Sequence, residues 1–480
     1  MNRRMVVYFL GWVLRIEAAL MVLPVIVSVI YREKCVWMLL GITLATFALG
    51  YICSAKKPKN ASLYTREGYV AVALSWVVLS IIGALPFCLT GAIPSFTDSL
   101  FETISGFTTT GASILSEVES LPKGVLFWRS FTHWIGGMGV LVFMLAILPM
   151  VGGDNIHLMR AESPGPQVGK LVPKVKQTAK ILYSIYLVIT VLEIICLIIS
   201  GLPVFDSILM SFGTVGTGGF SVVNSGCTEY TLAQQGIITF FMVVCGANFN
   251  VYFLLTVRKF REAFKSEEVL SYLGIYLFAV VTIAINIRSQ FASFPLALHH
   301  SFFNTAACMT TTGFATVDFN LWPTYSKLML LVVMFVGGCA GSTAGGMKVS
   351  RIIIAAKTIG KELSHLIHPR SVKILKFEGK AIEHSVLRSI NVYFMAYFLI
   401  FAGSILLVAI DGKDVVTTVT SVIATINNIG PGLEGVGPMS NFGSFSFLSK
   451  YVLMFDMLVG RLEIFPMLLL FMPRTWRRQL

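Results

Sequence analysis

At 480 residues, 55% hydrophobic and 13% charged, the chain carries about half the charge of an ordinary soluble domain, roughly 25%, and its mean hydropathy is +0.79. The formal charge of +13 would suit nucleic acid or an anionic substrate. Its distribution follows membrane orientation instead, so neither partner is needed to explain it.

Apolar runs of about 20 residues, long enough to cross a bilayer, recur at 6–30, 36–54, 68–90, 125–150, 178–201, 232–256, 269–291, 326–356, 386–410 and 448–472. The first has charges near its start and no small-residue cleavage site, which reads as a retained helix rather than a signal peptide. It pairs with the second to make an N-terminal two-helix segment, residues 1–60. The basic residues then fall in alternate loops: Arg3 and Arg4; Lys56, Lys57, Lys59 and Arg66; Arg160, Lys170, Lys174 and Lys176; Arg258 to Lys265; Lys348 to Lys380; and Arg474, Arg477 and Arg478. The loops between them hold Asp98, Glu117, Glu119, Asp206, Glu229, Asp318, Asp411, Asp414 and Glu434. By the positive-inside rule the basic loops and both termini face the cytoplasm, and the acidic loops open outward.

From residue 61 onward a unit repeats. The expected boundaries are 61–150, 151–257, 258–357 and 358–480. In each unit a span leads to a segment of roughly ten to fourteen residues, too short to cross and suited to a re-entrant half-helix. A small-residue phrase and a second span follow. The four phrases are FTTTGAS (107–113), GTGGFSV (216–222), MTTTGFAT (309–316) and INNIGPG (426–432). Asp98 and Asp206, each followed by Ser, are expected as caps of their short helices. Non-helical backbone persists at membrane depth only where it is buried in protein or lines a water-filled path. Four such phrases on one side suggest a ring of backbone carbonyls around one axis, the device that selects a monovalent cation. Glycine supplies the backbone angles and close approach. Threonine supplies extended backbone and a hydroxyl, and each half-helix aims the negative end of its dipole at the axis. The register places the key glycines at Gly111, Gly219, Gly313 and Gly430, with Gly218 an alternative in the second phrase. The fold class expected is an all-α polytopic membrane protein: four helix, re-entrant pore helix, helix repeats around one pseudo-fourfold ion pore, preceded by two extra transmembrane helices.

The second helices of the units carry their own signals. Three are broken by small residues, at 134–139, at 244–248 and in VGGCAGSTAGGMK (336–348), which is too glycine-rich to stay regular helix. In the fourth, Arg461 lies about eleven residues into its span, roughly 16 Å at 1.5 Å per residue. A mid-bilayer arginine costs about 2.5–3.5 kcal/mol on insertion scales, which points to a pore-facing barrier or a partner for a loop carbonyl. An ion pair with another helix is the competing reading. His133, His299 and His300 lack companions for a metal set and read as structural. Seven of the eight cysteines sit in or beside apolar segments as small hydrophobes, while Cys227 reads as exposed. No GxSxG, Walker or HExxH motif occurs, so the chain does not read as an enzyme.

The four phrases, together with GGCAGSTAGGMK and MLVGRLEIFPML, resemble the bacterial potassium-uptake subunits of the Trk/Ktr/HKT superfamily over essentially the whole chain. The two N-terminal spans favour its TrkH branch over KtrB, which resembles the four units alone. The resemblance implies potassium uptake across the inner membrane, with potassium as cargo and no covalently bound cofactor. It also implies a homodimer with one pore per subunit and a cytosolic TrkA-like nucleotide-binding regulatory subunit, for which the basic loop 348–384 is a docking candidate. Anionic lipid would suit the same charges. Carried over residue by residue, the filter comprises Thr109, Thr110 and Gly111; Thr217, Gly218 and Gly219; Thr311, Thr312 and Gly313; and Asn428, Ile429 and Gly430. The gate comprises Gly337, Gly338, Gly341, Ser342, Thr343, Gly345, Gly346 and Lys348, with Arg461 beside it. In related plant transporters a serine at the first filter glycine accompanies sodium transport, so Gly111 favours potassium. The fourth phrase, with Asn427, Asn428 and Ile429, departs most from the pattern. A sodium-permeable or sodium-coupled relative remains an alternative, as does a proton-coupled solute carrier whose glycines only pack.

Overall fold

A computed structural model describes residues 2–58, 65–137, 139, 175–370 and 374–476. The far half of the run at 125–150 lies outside them, as do Lys59, Arg160, Lys170, Lys174, Arg477 and Arg478. Among the described residues, six unbroken helices are long and apolar enough to cross a membrane, and they coincide with six of the ten runs. They belong to α1 (Arg3–Ile30), α2 (Val36–Ser54), α3 (Thr65–Leu89), α6 (Val175–Ile199), α10 (Glu267–Ile287) and α14 (His384–Val408). Their outer faces are bare and apolar: Leu399 and Leu406 are 75% and 72% exposed, as suits side chains bathed in lipid.

Inside this wall stand four short helices: α4 (Phe96–Phe107), α7 (Val204–Val215), α11 (Phe294–Met309) and α15 (Val415–Ile426). Three have 12 residues and α11 has 16. Twelve residues rise about 18 Å, little more than half a hydrocarbon core of about 30 Å. They re-enter rather than cross. Each is held by buried polar groups that a lipid-facing helix would not tolerate, among them Ser99, Glu102, Thr103 and Ser105 in α4 alone.

The caps differ from expectation. Ser95, not Asp98, caps α4 by accepting from the Asp98 amide at 3.4 Å, and α7 starts at Pro203 with no side-chain cap. Both helices begin earlier than the Asp-Ser pairs suggested. The carboxylates therefore sit in the first turn, where the positive dipole end still favours them. Asp98 pairs with Lys450 at 2.6 Å. In the fourth repeat Asp414 does cap α15, accepting from the Thr417 amide at 2.8 Å. Hydrogen bonds from Thr417 hold its carboxyl below the ordinary carboxylate range.

Three of the four second helices are interrupted, and α5 (Lys123–Gly137), in the first repeat, leads out of the described residues. In the second repeat, α8 (Leu232–Gly246) and α9 (Phe249–Thr256) meet at 90°. In the third, α12 (Thr324–Val336) and α13 (Val349–Ile367) flank residues 337–348. In the fourth, α16 (Phe447–Arg461) and α17 (Phe465–Phe471) are separated by a break that the sequence reading did not expect, with Pro466 in the first turn of α17. A two-stranded hairpin, β1 (Lys376–Phe377) and β2 (Lys380–Ala381), joins α13 to α14 with Lys376 opposite Ala381. Its turn residue Glu378 accepts from the Ser266 hydroxyl at 2.8 Å and the Glu268 amide at 3.0 Å, capping α10.

The N-terminal hairpin docks through glycine. A Cβ on Gly11 would lie 2.8 Å from the Gly50 carbonyl, and one on Gly50 the same distance from the Gly11 carbonyl. Glu33, in the turn between α1 and α2, accepts from the amides of Lys123 and Gly124 and so caps α5. A Cβ on Gly41, also in α2, would have nothing within 4 Å. Gly50→Leu should therefore destabilise the detergent-solubilised protein by about 1–3 kcal/mol, the usual cost of overpacking. Gly41→Leu should leave its thermal midpoint unchanged.

Candidate functional site

The four pore helices end alike. In the first, the Thr109 amide donates to Gly106 O at 3.1 Å and the Thr110 amide to Ser105 O at 2.9 Å. This 5→2 and 6→1 pair defines a Schellman cap, whose outer residue takes a left-handed backbone. The same pair occurs at Thr217 and Gly218 (3.0 and 2.8 Å), Thr311 and Thr312 (3.3 and 2.9 Å), and Asn428 and Ile429 (3.1 and 2.8 Å). The left-handed residues Thr109, Thr217, Thr311 and Asn428 have φ of 54°, 55°, 54° and 55°. Glycine usually occupies this place; here three threonines and an asparagine do. Two residues on, φ is positive again at Gly111 (79°), Gly219 (82°), Gly313 (79°) and Gly430 (97°). The second phrase is thereby in register through Gly219, and Gly218 is the counterpart of Thr110, Thr312 and Ile429.

These glycines interlock. A Cβ on Gly111 would lie 2.0 Å from Gly218 O, and one on Gly219 would lie 1.8 Å from Thr312 O. On Gly313 it would lie 2.0 Å from Ile429 O, and on Gly430 2.8 Å from Thr110 O. The order runs from the first loop through the second, third and fourth and returns to the first. Four carbonyl-bearing residues at one register therefore sit in a closed ring, each carbonyl against the glycine of the preceding loop. On one side the ring opens into a cavity of about 190 Å³ lined by all four glycines, with Ser113, Ser221 and Asn441 at its wall.

Side chains fix the ring from behind. His133 on α5 bonds Gly106 O through Nδ1 at 2.9 Å and accepts from the Phe220 amide through Nε2 at 3.2 Å. Those partners require the proton on Nδ1. Arg129 donates to Glu102 at 2.7 Å, Ser221 O at 3.0 Å and the Ser113 hydroxyl at 3.2 Å, and lies 3.7 Å above the Phe220 ring. The fourth loop's asparagines serve as ties. Asn428 Nδ2 donates to the Thr110 hydroxyl and to Met457 O, both at 2.9 Å, and the Tyr397 hydroxyl donates to Asn427 Oδ1 at 2.9 Å. Thr110 and Thr312 pair their hydroxyls with Thr108 and Thr310, each at 2.8 Å.

Residues 337–348 lie across the other side of the ring. The Gly345 amide donates to the Thr311 hydroxyl at 2.6 Å and the Gly346 amide to Asn427 O at 3.1 Å. Toward the second repeat, the Cys339 amide donates to Gly246 O at 2.9 Å and the Thr343 hydroxyl to Cys245 O at 3.3 Å. Glu268 on α10 accepts from the Ala340 amide at 2.6 Å, and the Ser342 hydroxyl is satisfied by Cys339 O at 2.6 Å. Left-handed backbone at Gly337, Gly341 and Gly346 lets the strand fold back on itself, the Val349 amide reaching Gly338 O at 3.0 Å. Lys348 is buried in this loop, its ammonium on Ala344 O, so it does not belong with the basic surface residues that follow it. Arg461 donates to Thr343 O at 2.9 Å and to Gly136 O at 2.6 Å, bridging the loop to α5. Both of these acceptors are backbone carbonyls. A cross-helix ion pair joins Glu463 and Arg351, with Arg351 also 4.0 Å from the Tyr393 ring.

The chain matches the family model for TrkH, described as a cation transport protein, over residues 39–287 and 268–478. It belongs to the TrkH family. Among relatives, the Trk system potassium uptake protein TrkH of Salmonella typhimurium is 36% identical over 484 residues, covering 99% of this chain and 100% of that protein. The Halomonas elongata protein of the same name is 36% identical over 489 residues, covering all of both chains. A crystal structure of the potassium transporter TrkH from Vibrio parahaemolyticus superposes with a TM-score of 0.89 at 32% identity, over 99% of this chain and 100% of that one.

Several features of this TrkH-family site escaped the sequence. Glu463 and Ile464 break the fourth second helix with φ of 58° and 70°, although no glycine marks the place. The signal in the sequence was Pro466, which a helix accepts only in its first turn. Cys227 is fully buried, its amide on Ala315 O at 3.0 Å, and not exposed as expected. The charged Glu229 beside it gave the misleading cue. His299 and His300 bond Gln235 and Thr316, at 2.8 and 2.9 Å, and no cluster fit to hold a metal occurs among the described residues. Because His133 satisfies two buried backbone groups at once, His133→Ala should cost about 1–3 kcal/mol. A thermal unfolding series in detergent should show a clearly larger loss for it than for His299→Ala.

Proposed function

We propose that this protein mediates potassium uptake across the inner membrane of a bacterium through a channel-like pore. The residues 109–111, 217–219, 311–313 and 428–430 form its selectivity filter, and the loop 337–348 with Arg461 forms its gate. The closed carbonyl ring carries this reading. A potassium ion gives up its water shell only where oxygens stand in for it, and four pore helices direct the negative ends of their dipoles there. The names of the relatives agree: they are potassium uptake proteins, transporters rather than enzymes. The asparagines of the fourth loop do not weaken the case, because their side chains tie to Thr110, Met457 and Tyr397 while the backbone of Ile429 completes the ring. Potassium is cargo, and the mechanism requires no covalently bound cofactor.

On this reading the alternating charge puts both termini and the basic loops in the cytoplasm. The segment 348–384 then offers a face to a TrkA-like nucleotide-binding subunit or to anionic lipid, and the protein works as a homodimer with a pore in each subunit. The repeats run 61–150, 151–257, 258–357 and 358–480. Arg461 acts as an electrostatic barrier as well as a strut. A second unit charge at 4 Å meets about 4 kcal/mol at an effective dielectric of 20, which is ample to empty the space beneath the ring of cations while the arginine stays.

Two measurements in proteoliposomes test these roles. Gly313→Ser places a side chain where Ile429 O stands, so the ratio of rubidium to sodium flux should fall at least tenfold; an unchanged ratio and rate would sink the filter assignment. Arg461→Ala should raise rubidium flux in the absence of any regulatory subunit by several-fold. A rate equal to wild type with normal folding would leave the arginine a purely structural part.

A further inference from the structure

The ring's lower edge is built from four equivalent left-handed residues, and they are not equally engaged. The Thr109 hydroxyl is fully buried with no hydrogen-bond partner among the described residues. The Thr217 hydroxyl turns back to its neighbour Gly216 O at 2.7 Å. Asn428 donates through Nδ2 to Met457 O and the Thr110 hydroxyl, while its Oδ1 is buried with no hydrogen-bond partner among the described residues. Of the four, Thr311 is the one bonded to the loop beneath, accepting the Gly345 amide at 2.6 Å. In the adjoining repeat the Gly346 amide takes Asn427 O, the carbonyl that ends its pore helix. Two successive amides of the loop thus occupy two oxygens at the base of the ring, a hydroxyl from the third repeat and a carbonyl from the fourth. The fit admits nothing larger than glycine: a Cβ on Gly345 would lie 2.3 Å from Asn427 O and 3.2 Å from the Asn428 Cβ.

We propose that Thr311 is a latch: the seated loop closes the pore by taking oxygen ligands that a cation at the base of the filter would otherwise use. The proposal rests on the filter reading above and goes beyond it. An amide hydrogen pointed at an oxygen carries the same sign of charge as a cation seeking that oxygen. Loop seating and cation occupancy at this level therefore oppose one another. The loop is not a plug standing free in the path but a competitor for the path's own ligands, anchored on one side of the axis. Thr109, across the ring with its hydroxyl unengaged, is the site's built-in control, since it has the same register and backbone but no loop.

The test compares Thr311→Val with Thr109→Val, each a near-isosteric removal of one hydroxyl, by rubidium tracer uptake into proteoliposomes without a regulatory subunit. Thr311→Val should raise basal flux about 2- to 10-fold, the shift expected from losing one neutral hydrogen bond that favours the seated loop. Thr109→Val should not raise it, and should lower the flux or its rubidium-to-sodium ratio by loss of a ligand. Gly345→Ala leaves every ring residue intact while denying the loop its seat. It should raise basal flux like Thr311→Val and add little to it in the double variant, which keeps the test open if one substitution folds poorly. Equal, lowered flux in both valine variants, with Gly345→Ala unchanged, overturns the latch and leaves the filter standing. A Thr109→Val protein with wild-type rate and selectivity counts against the filter itself.

Discussion

The carbonyl oxygens of Thr110, Gly218, Thr312 and Ile429 stand about where the glycines of neighbouring loops would carry a side chain, at 1.8–2.8 Å from the Cβ position. This contact sets the ring's diameter, because backbones can approach one another no more closely. It also sets the demand on everything around them. Each loop must leave its pore helix by a left-handed turn and turn left-handed again two residues later. For an L residue other than glycine, that first turn costs on the order of 1–2 kcal/mol. Three threonines and an asparagine bear it here, and strained backbone held in place by its surroundings is characteristic of functional sites.

The surroundings that hold it are buried and polar. Two backbone hydrogen bonds close each helix end, and His133 and Arg129 tie the first and second loops to the same helix, α5. Asn428 ties the fourth loop to the first through Thr110. Such groups stay satisfied only if the lipid-facing spans exclude solvent from behind them. The N-terminal hairpin contributes by closing glycine to glycine and capping α5 with Glu33. The architecture is thus ordered outward from the ring: a closed set of carbonyls, a shell of polar ties, and an apolar wall.

Much of this was written in the sequence, for reasons that can be named. The unbroken spans were legible because lipid demands about 20 apolar residues and tolerates little else. The four phrases were legible because glycine and threonine recur at one spacing. What stayed hidden depends on contacts between distant residues. The choice between Gly218 and Gly219 needs the neighbouring loop's carbonyl. The caps at Ser95 and Pro203 need to know where the helix first turns. The break at Glu463 and Ile464 precedes Pro466, but Ile464 at positive φ is not what local propensity would place there, and Glu463 pairs with Arg351, more than a hundred positions earlier. Cys227 looked exposed because its neighbours are polar, yet the third loop covers it.

The loop 337–348 shows how a flexible sequence can make a cooperative element. Its glycines forgo regular helix, and only a few bonds, such as those from Ser342 to Cys339 O and from Lys348 to Ala344 O, lie within the loop itself. It is held by acceptor oxygens lent from all four repeats: the Gly136 carbonyl in the first by way of Arg461, the Cys245 and Gly246 carbonyls in the second, the Thr311 hydroxyl and Glu268 carboxylate in the third, and the Asn427 carbonyl in the fourth. The neutral bonds are worth only about 1 kcal/mol net each, and those of Arg461 and Glu268 about 1.5–3, so the loop's seat is shared among them. Because Arg461 joins loop to α5, and Glu268 joins loop to the helix end that Glu378 caps, the bonds cannot be released independently. Moving the loop means loosening α10, the hairpin at 376–381 and the arginine together. An element tied in this way moves as a unit or not at all, and through Glu268 and Glu378 its ties extend to the hairpin between α13 and α14.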